Sequence, residues 1–326
     1  MFAAAAAPPR PKGNSPANAA TVSCAPVNAL TVDVEDYFQV QALAGVFPVS
    51  TWEACEPRVE RNTERLLEIF SDAEVKATFF ALGWVAKRFP QLIGRITAEG
   101  HEVASHGFAH QRVDSQSPEE FRSDVRRARG VLEHAAGTAV RGYRAPTFSV
   151  GAHTPWAWRI LEEEGYAYSS SIYPVRRDLY GEPDAPLSPY RPTGAARLVE
   201  APISALRLAG RSWPCGGGGY FRLLPYPVSR ALLSAVNADA GRRGIFYLHP
   251  WEIDPGQPRA RGAPLKSRMR HYLNLSRTEG RLQRLLRDLR WDRMDRVFAD
   301  ELSVAAAAAA PTALASRAQA GPELPA

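Results

Sequence analysis

Between residues 27 and 250 short apolar runs alternate with longer stretches of helical periodicity. Ala29-Leu30-Thr31-Val32-Asp33-Val34 has the pattern of a buried strand that ends in acids. Arg58 to Ala73 follows, with Leu66, Leu67, Ile69 and Phe70 on one helical side. Lys76 to Leu82 reads as a second strand, Val85 to Ala98 as a second helix stopped at Gly100, and Glu102 to Ser105 as a third strand. Ser117-Pro118-Glu119-Glu120 combines a capping serine, a proline at the first helical position and a glutamate at the third, so a helix starts there and runs to about His134. Val140 to Arg144 is a strand, Pro155 to Glu164 a helix, Tyr166 to Ser170 a strand, and Gly244 to His249 a further strand. This alternation predicts an α/β fold with a parallel sheet covered by helices, open or closed into a barrel. The proline-rich connection 173–225, with its run Gly216 to Gly219, interrupts the beat. A strict eightfold barrel is therefore not expected, and a distorted one is.

The ends differ from this body. Residues 1–26 and 303–326 are rich in Ala, Pro and Ser and cannot bury enough apolar surface to offset their ordering entropy, so both read as disordered tails. Between them lie a barrel over 27–257 and a basic helical extension over 258–302, whose helix from about Glu279 to Phe298 aligns Leu282, Leu285, Leu286, Leu289 and Met294. In a chain of 326 residues with a net charge of +6, Arg259 to Arg296 holds twelve Arg or Lys against four acids. That segment carries +8 and the rest of the chain -2. Such an imbalance suits an anionic neighbour, although arginines opposite an apolar stripe also read as a solvated helix face. No apolar run approaches the roughly 18 residues of a membrane span. The N-terminus lacks the layout of a secretory signal, so a cytoplasmic location is expected. Cys24, Cys55 and Cys215 form no CxxC pair. They exclude a disulfide scaffold and a cysteine-rich zinc module.

In parallel α/β folds ligands sit at the carboxyl ends of the strands, and the notable polar residues fall there. Asp33, Glu35 and Asp36 close the first strand, Ser105 and His106 the third, Arg144 the fourth and His249 the last. His106 and His110 are spaced to reach one ion from the same side, and a two-His site commonly takes a carboxylate as third ligand. The cluster Asp33-Val34-Glu35-Asp36 is its natural source. Alternation along a strand puts Asp33 and Glu35 on one side and favours Glu35; a turn after Val34 would bring in Asp36 instead. Arg144 supplies a permanent cation beside a carboxylate base, and His249 an imidazole suited to proton transfer. No GxSxG elbow accompanies His249, and the glycine run lacks the Lys-Ser/Thr of a phosphate loop, which disfavours serine hydrolase chemistry and nucleotide binding.

The ordered motifs Thr31 to Asp36, Ser105-His106-Gly107-Phe108-Ala109-His110, Arg144-Ala145-Pro146 and Leu248-His249 resemble those of the polysaccharide deacetylases, carbohydrate esterase family 4. The likeness runs over roughly 28–255. VDVEDYFQV, Gly216 to Arg222, His249-Pro250-Trp251-Glu252 and His271-Tyr272-Leu273-Asn274 resemble a subgroup associated with exosortase and exopolysaccharide loci. The resemblance implies a distorted (β/α) barrel of about seven parallel strands with the C-terminal helical extension, and metal-dependent removal of N-acetyl groups from an amino-sugar polysaccharide. By the same resemblance His106 and His110 bind the ion, zinc first with cobalt or nickel as alternatives. Asp33 is the general base, Arg144 orients it, and His249 protonates the leaving amine. Tyr143, Pro146 and Trp251 are expected at the sugar cleft. The family pattern has two adjacent acids, and here Val34 takes the second place, leaving Glu35 or Asp36 as the third ligand. The partners implied are an N-acetylated glycan and no nucleic acid, with peripheral contact to an anionic inner membrane or to polysaccharide assembly machinery through the C-terminal arginines.

Two other readings remain at this stage. A metal amidohydrolase for a small cyclic amide or ureide would use the same scaffold, with loops 37–57 and 173–225 deciding between a lidded pocket and an open groove. A catalytically silent glycan-binding module would hold anionic polymer on Arg277, Arg281, Arg284, Arg287 and Arg290.

Overall fold

The computed structural model describes residues 25–178 and 180–307. In chain order they form β1 (Val27–Val34), α1 (Val59–Asp72), β2 (Thr78–Ala81), α2 (Gly83–Arg88), α3 (Pro90–Ala98), β3 (Glu102–Ser105), α4 (Pro118–Ala136), β4 (Gly142–Tyr143), α5 (Trp156–Glu163), β5 (Tyr168–Ser169) and β6 (Val199–Glu200). The hairpin β7 (Ala205–Leu208) and β8 (Arg211–Pro214) follows, then α6 (Gly218–Leu223), α7 (Tyr226–Ala238), β9 (Ile245–Leu248), α8 (Leu265–Tyr272), α9 (Leu275–Asp288), β10 (Arg290–Asp292), α10 (Met294–Val297) and α11 (Ala299–Ala307). The main sheet has eight strands and is parallel throughout, in the order β10-β1-β2-β3-β4-β5-β6, with β9 also on β1. This is the distorted (β/α) barrel that the alternation implied.

Parity along the strands creates two cores. Leu30, Val32 and Val34 of β1, Phe79 of β2, Val103 of β3, Tyr143 of β4 and Phe246 and Leu248 of β9 face the helices, where Leu66, Phe70, Ile93, Phe121 and Leu161 meet them. The alternate residues Ala29, Phe80, Ala104, Tyr168, Ile245 and Tyr247 face the interior of the curl. A strand buried on both faces reads as a continuous apolar run, as β1 does, and its parity sends Thr31, Asp33 and Glu35 inward.

The barrel closes imperfectly between β6 and β9. There Ile245 donates its N–H to Ser204 Oγ at 2.7 Å, Tyr247 donates to Gly216 O at 2.7 Å, and Gly217 bridges Tyr247. Gly217 lies at φ +111°, and a Cβ there would run into the Tyr247 carbonyl. The glycine run thus serves close backbone approach at the seam.

Three expectations need correction. The helix expected over Val85 to Ala98 is two, α2 and α3, because Phe89 (φ -129°, ψ 60°) breaks the first turn-to-turn ladder and Pro90 starts the second. The helix expected over Glu279 to Phe298 ends at Asp288; Leu289 is extended, and β10 pairs Arg290, Trp291 and Asp292 with Val27, Asn28 and Ala29. Part of the segment 258–302 therefore belongs to the barrel sheet. The tails lie largely outside the described residues, but 303–307 continue α11. The capping box at the start of α4 forms as read: Glu120 N–H donates to Ser117 Oγ and Ser117 N–H to Glu120 Oε2. Cys55 and Cys215 are free thiols.

Candidate active site

The strand ends deliver the polar residues to one hollow. β1 ends in a tight turn, Glu35 N–H bonding Asp33 O at 3.0 Å, and both carboxylates point inward. Beyond β3 the chain folds back through Gly107 (φ +74°) and His110 (φ +53°). A left-handed histidine is a strained backbone that its surroundings must impose. Here they do: Phe108 N–H donates to Asp124 of α4 at 3.1 Å, while Gly83 and Trp84 at the start of α2 donate to the carbonyls of Gly107 and Phe108 at 2.9 and 2.8 Å.

Glu35, His106 and His110 each bring a ligand atom within 4.8 Å of the other two, all three residues buried. His110 Nε2 lies 2.8 Å from Glu35 Oε2, an oxygen with no hydrogen-bond partner. His106 Nδ1 lies 2.8 Å from the backbone carbonyl of Arg144. A carbonyl only accepts, so Nδ1 carries the proton and Nε2 keeps its lone pair for the hollow. Burial lowers the His106 pKa to about 4, which keeps the ring neutral. Burial would raise Glu35, but the imidazoles of His110 and His249 hold it well below the carboxylate range. One acid and two imidazole nitrogens suit zinc, cobalt or nickel. Asp36, the alternative ligand, is elsewhere: its carboxylate accepts from the N–H groups of Tyr37, Arg58 and Val59 at 2.8, 2.6 and 2.9 Å, capping a 3₁₀ turn and the start of α1.

Asp33 stands beside this cluster. Arg144, fully buried, donates to Asp33 Oδ1 at 2.6 Å and to Thr31 Oγ1 at 2.8 Å. Its remaining donors reach the Ser170 carbonyl and hydroxyl, each at 3.1 Å, and its guanidinium lies 4.0 Å from the Phe80 ring centre. Each of its three nitrogens is thus engaged, and Asp33 Oδ2 is left facing His249 Nε2 at 3.9 Å. His249 Nε2 is 3.5 Å from Glu35 Oε1, and its Nδ1 is 3.4 Å from Glu252 Oε1. Burial would lower the His249 pKa, but Glu35, Glu252 and Asp33 outweigh it and raise it to about 9. Burial likewise pushes Glu252 up, and Arg222 and His249 pull it below its ordinary value.

Trp251 and Tyr143 are not cleft walls. Trp251 is buried with His249 stacked on one side (5.0 Å between centroids, 21°) and His271 near-parallel to it at 4.2 Å (18°), and its Nε1 donates to Glu35 Oε1 at 3.2 Å. Flanking imidazoles leave no face for a pyranose. Tyr143 is on the helix side of β4, edge-on to Phe121 and Tyr166, because it alternates with the inward Arg144. Pro146 is buried as well, its ring 3.6 Å from where a Cβ on Gly107 would stand. The cleft that does adjoin the hollow has a volume of about 430 Å³ and shares His110 with it. Its lining includes Phe47, Val49, Trp52, Gln39, Gln111 and Arg112, from residues 38–52 and 109–115.

Four residues with no role assigned from sequence complete the site. Arg222, on α6, donates to Glu252 Oε1 at 3.3 Å and to the carbonyls of His271 and Leu273 at 2.7 and 3.0 Å. Asp124 ties down the loop between His106 and His110. Glu252, three residues beyond His249, had a local signal as an acid next to an imidazole. Arg222 and His271 lie in motifs that resemble the exopolysaccharide subgroup but that carry no assigned role, and for Asp124 nothing in the local sequence marks one.

Residues 49–169 match the family described as Polysaccharide deacetylase, and residues 170–299 match a domain of unknown function, DUF3473. A chitooligosaccharide deacetylase of Sinorhizobium fredii is 38% identical over 85 residues, 26% of this chain and 40% of that protein. A peptidoglycan-N-acetylglucosamine deacetylase of Bacillus cereus is 33% identical over 84 residues, 26% of this chain and 30% of that protein. The chain thus spans less than half the length of these curated relatives. The crystal structure of a putative polysaccharide deacetylase from Mycobacterium smegmatis superposes over 92% of this chain and 99% of that one with a TM-score of 0.54; at 21% identity the likeness is one of fold. By its matched segment, residues 49–169 of the chain are similar to the polysaccharide deacetylase family, and the motif residues of that segment gather at the strand ends.

Proposed function

We propose that the chain is a metal-dependent hydrolase that removes N-acetyl groups from an amino-sugar polysaccharide, in the setting of exopolysaccharide biosynthesis. The observation that carries this reading is the convergence of Glu35, His106 and His110 on one side of a hollow with Asp33–Arg144 and His249 on the other. A divalent ion held by Glu35, His106 and His110, zinc first, would polarise the amide carbonyl and make water a stronger nucleophile at neutral pH.

The chain's own residues supply the proton transfers. Asp33 Oδ2 accepts the proton of the attacking water, and Arg144 on Oδ1 keeps that carboxylate oriented. His249 Nε2, whose proton affinity the neighbouring carboxylates of Glu35, Glu252 and Asp33 raise, gives a proton to the leaving nitrogen. An amine is a poor leaving group, so cleavage requires that donor. The cleft beyond His110 opens at the exposed Pro48 and Val49 and pairs apolar walls with amide and guanidinium groups, a lining suited to a neighbouring sugar unit.

The test is acetate release from N-acetylglucosamine oligomers with and without chelator, for the unaltered chain and Asp33→Asn. Turnover should require the ion and fall by about 10²–10⁴ in the variant. Chelator-resistant turnover would remove the metal mechanism, and absence of turnover on any glycan would remove the substrate class.

A further inference from the structure

Helix α8 carries surface chemistry that the reaction does not use. Leu265, Met269 and Leu273 recur every fourth position and are 69%, 65% and 36% exposed. At 100° per residue Leu265 and Met269 share one side of the helix, with Lys266 and Arg270 along one margin and Arg268 along the other; Leu273 is the extended residue just past the last turn. The opposite side is buried, where His271 lies against Trp251. Leu223, also exposed, follows Arg222, whose guanidinium bonds the Leu273 carbonyl at 3.0 Å. Lys266 and Arg270 share the single acid Asp178, at 2.8 and 3.5 Å, so that margin keeps a net positive charge.

We infer that α8 seats the chain on an anionic phospholipid surface, with Leu265, Met269 and Leu273 at the headgroup–acyl boundary and Lys266, Arg268 and Arg270 among the phosphates. Cations on both margins of an apolar stripe match a partner that presents negative charge all round the apolar contact, as a bilayer containing anionic lipid does. The arginines of α9 are a poorer candidate. Arg281 donates to the carbonyls of Phe221, Arg222 and Leu224 at 3.1, 2.9 and 3.2 Å, and Arg284 lies over the Tyr226 ring with Asp288 beside it. The ring series His271, Trp251, His249 connects the inner side of α8 to the proton donor, so docking would hold the site at one fixed depth from the surface.

The full chain is tested by flotation with vesicles of phosphatidylglycerol and phosphatidylethanolamine, and with neutral phosphatidylcholine vesicles. The unaltered protein should float with the anionic vesicles in a salt-sensitive way and stay behind with the neutral ones. The double variant Leu265→Asp/Met269→Asp should lose at least tenfold in partitioning with an unchanged melting curve, and Arg268→Glu/Arg270→Glu a smaller but clear amount. The exposed Arg287→Glu on α9 should change little. Equal partitioning of the Leu265/Met269 variant, or no flotation of the unaltered chain, would overturn the inference. So would a dimer that this variant dissociates without any vesicle binding, which would make the face a contact between copies.

Discussion

The two sides of the hollow are built differently. On the proposed metal side, Glu35, His106 and His110 come from the ends of β1 and β3, the two strands that flank β2, and their supports are the backbone carbonyl of Arg144 and a loop pinned by Asp124. On the acid side, His249 is braced by Glu252, which is held by Arg222 of α6, and by Trp251, against which His271 of α8 packs. The first side lies mostly within the segment matched by the deacetylase family, the second within the segment 170–299. A ligand set needs only short geometry around one point. The proposed proton donor needs its charge state and its ring orientation set, and here the adjacent Glu252 and Trp251 do so while groups far along the chain hold them in turn.

The comparison breaks most sharply if the metal side tolerates loss of a ligand. His106→Ala or Glu35→Ala should abolish stoichiometric zinc binding by isothermal titration and lower kcat/KM by at least about 10³. Next in size, Arg144→Met leaves the buried Asp33 carboxylate without its cation; about 3–5 kcal/mol of stability should be lost in urea unfolding, together with nearly all turnover. On the acid side, Glu252→Gln should lower kcat by roughly tenfold to a hundredfold while zinc affinity stays within twofold. Because Glu252 helps to raise His249, the alkaline limb of the rate profile should move to lower pH in that variant. An unmoved limb would show that Glu252 only packs.

A smaller effect concerns stability. His101 is buried and neutral, accepts the Ala77 N–H on Nδ1 at 3.0 Å, and is held down to about 4 by burial, with Lys76 and Arg293 adding to it. The unfolded chain therefore binds more protons than the folded one between about pH 6.5 and 4. Stability should be full above that window and fall as pH drops through it, by at most about 1.4 kcal/mol per pH unit from this group. His101→Phe should flatten the slope while lowering stability at neutral pH through the unsatisfied Ala77 N–H. Smallest of all, Tyr143→Phe should leave KM for oligosaccharides within about twofold, since its ring is on the helix side of β4. A large rise in KM would return it to the cleft.

Much of the fold was legible because each signal is local. The strand β3 and the capping box at Ser117 have their whole cause within a few residues, and apolar periodicity marks α1 and α5. The strand β10 was not legible. Its residues Arg290-Trp291-Asp292 continue a helical stripe, and only the unpaired start of β1 makes a strand the better use of them. The same contrast holds in the site. Alternation along β1 put Asp33 and Glu35 on one side, and Asp36 proved to be a cap. Trp251 and Tyr143 were misplaced at the cleft because an aromatic ring next to a catalytic motif looks alike whether its faces are open or covered.

Residue order by itself determined which strand ends carry the acids, the imidazoles and Arg144, because side-chain parity and strand polarity are properties of the local backbone. Only the tertiary structure decided which neighbours surround them: that Glu252 and Arg222 back His249, that His271 packs against Trp251, and that Leu265 and Met269 stay in water. Those contacts join residues up to tens of positions apart, and burial, on which both charge state and availability depend, is a property of the assembled whole.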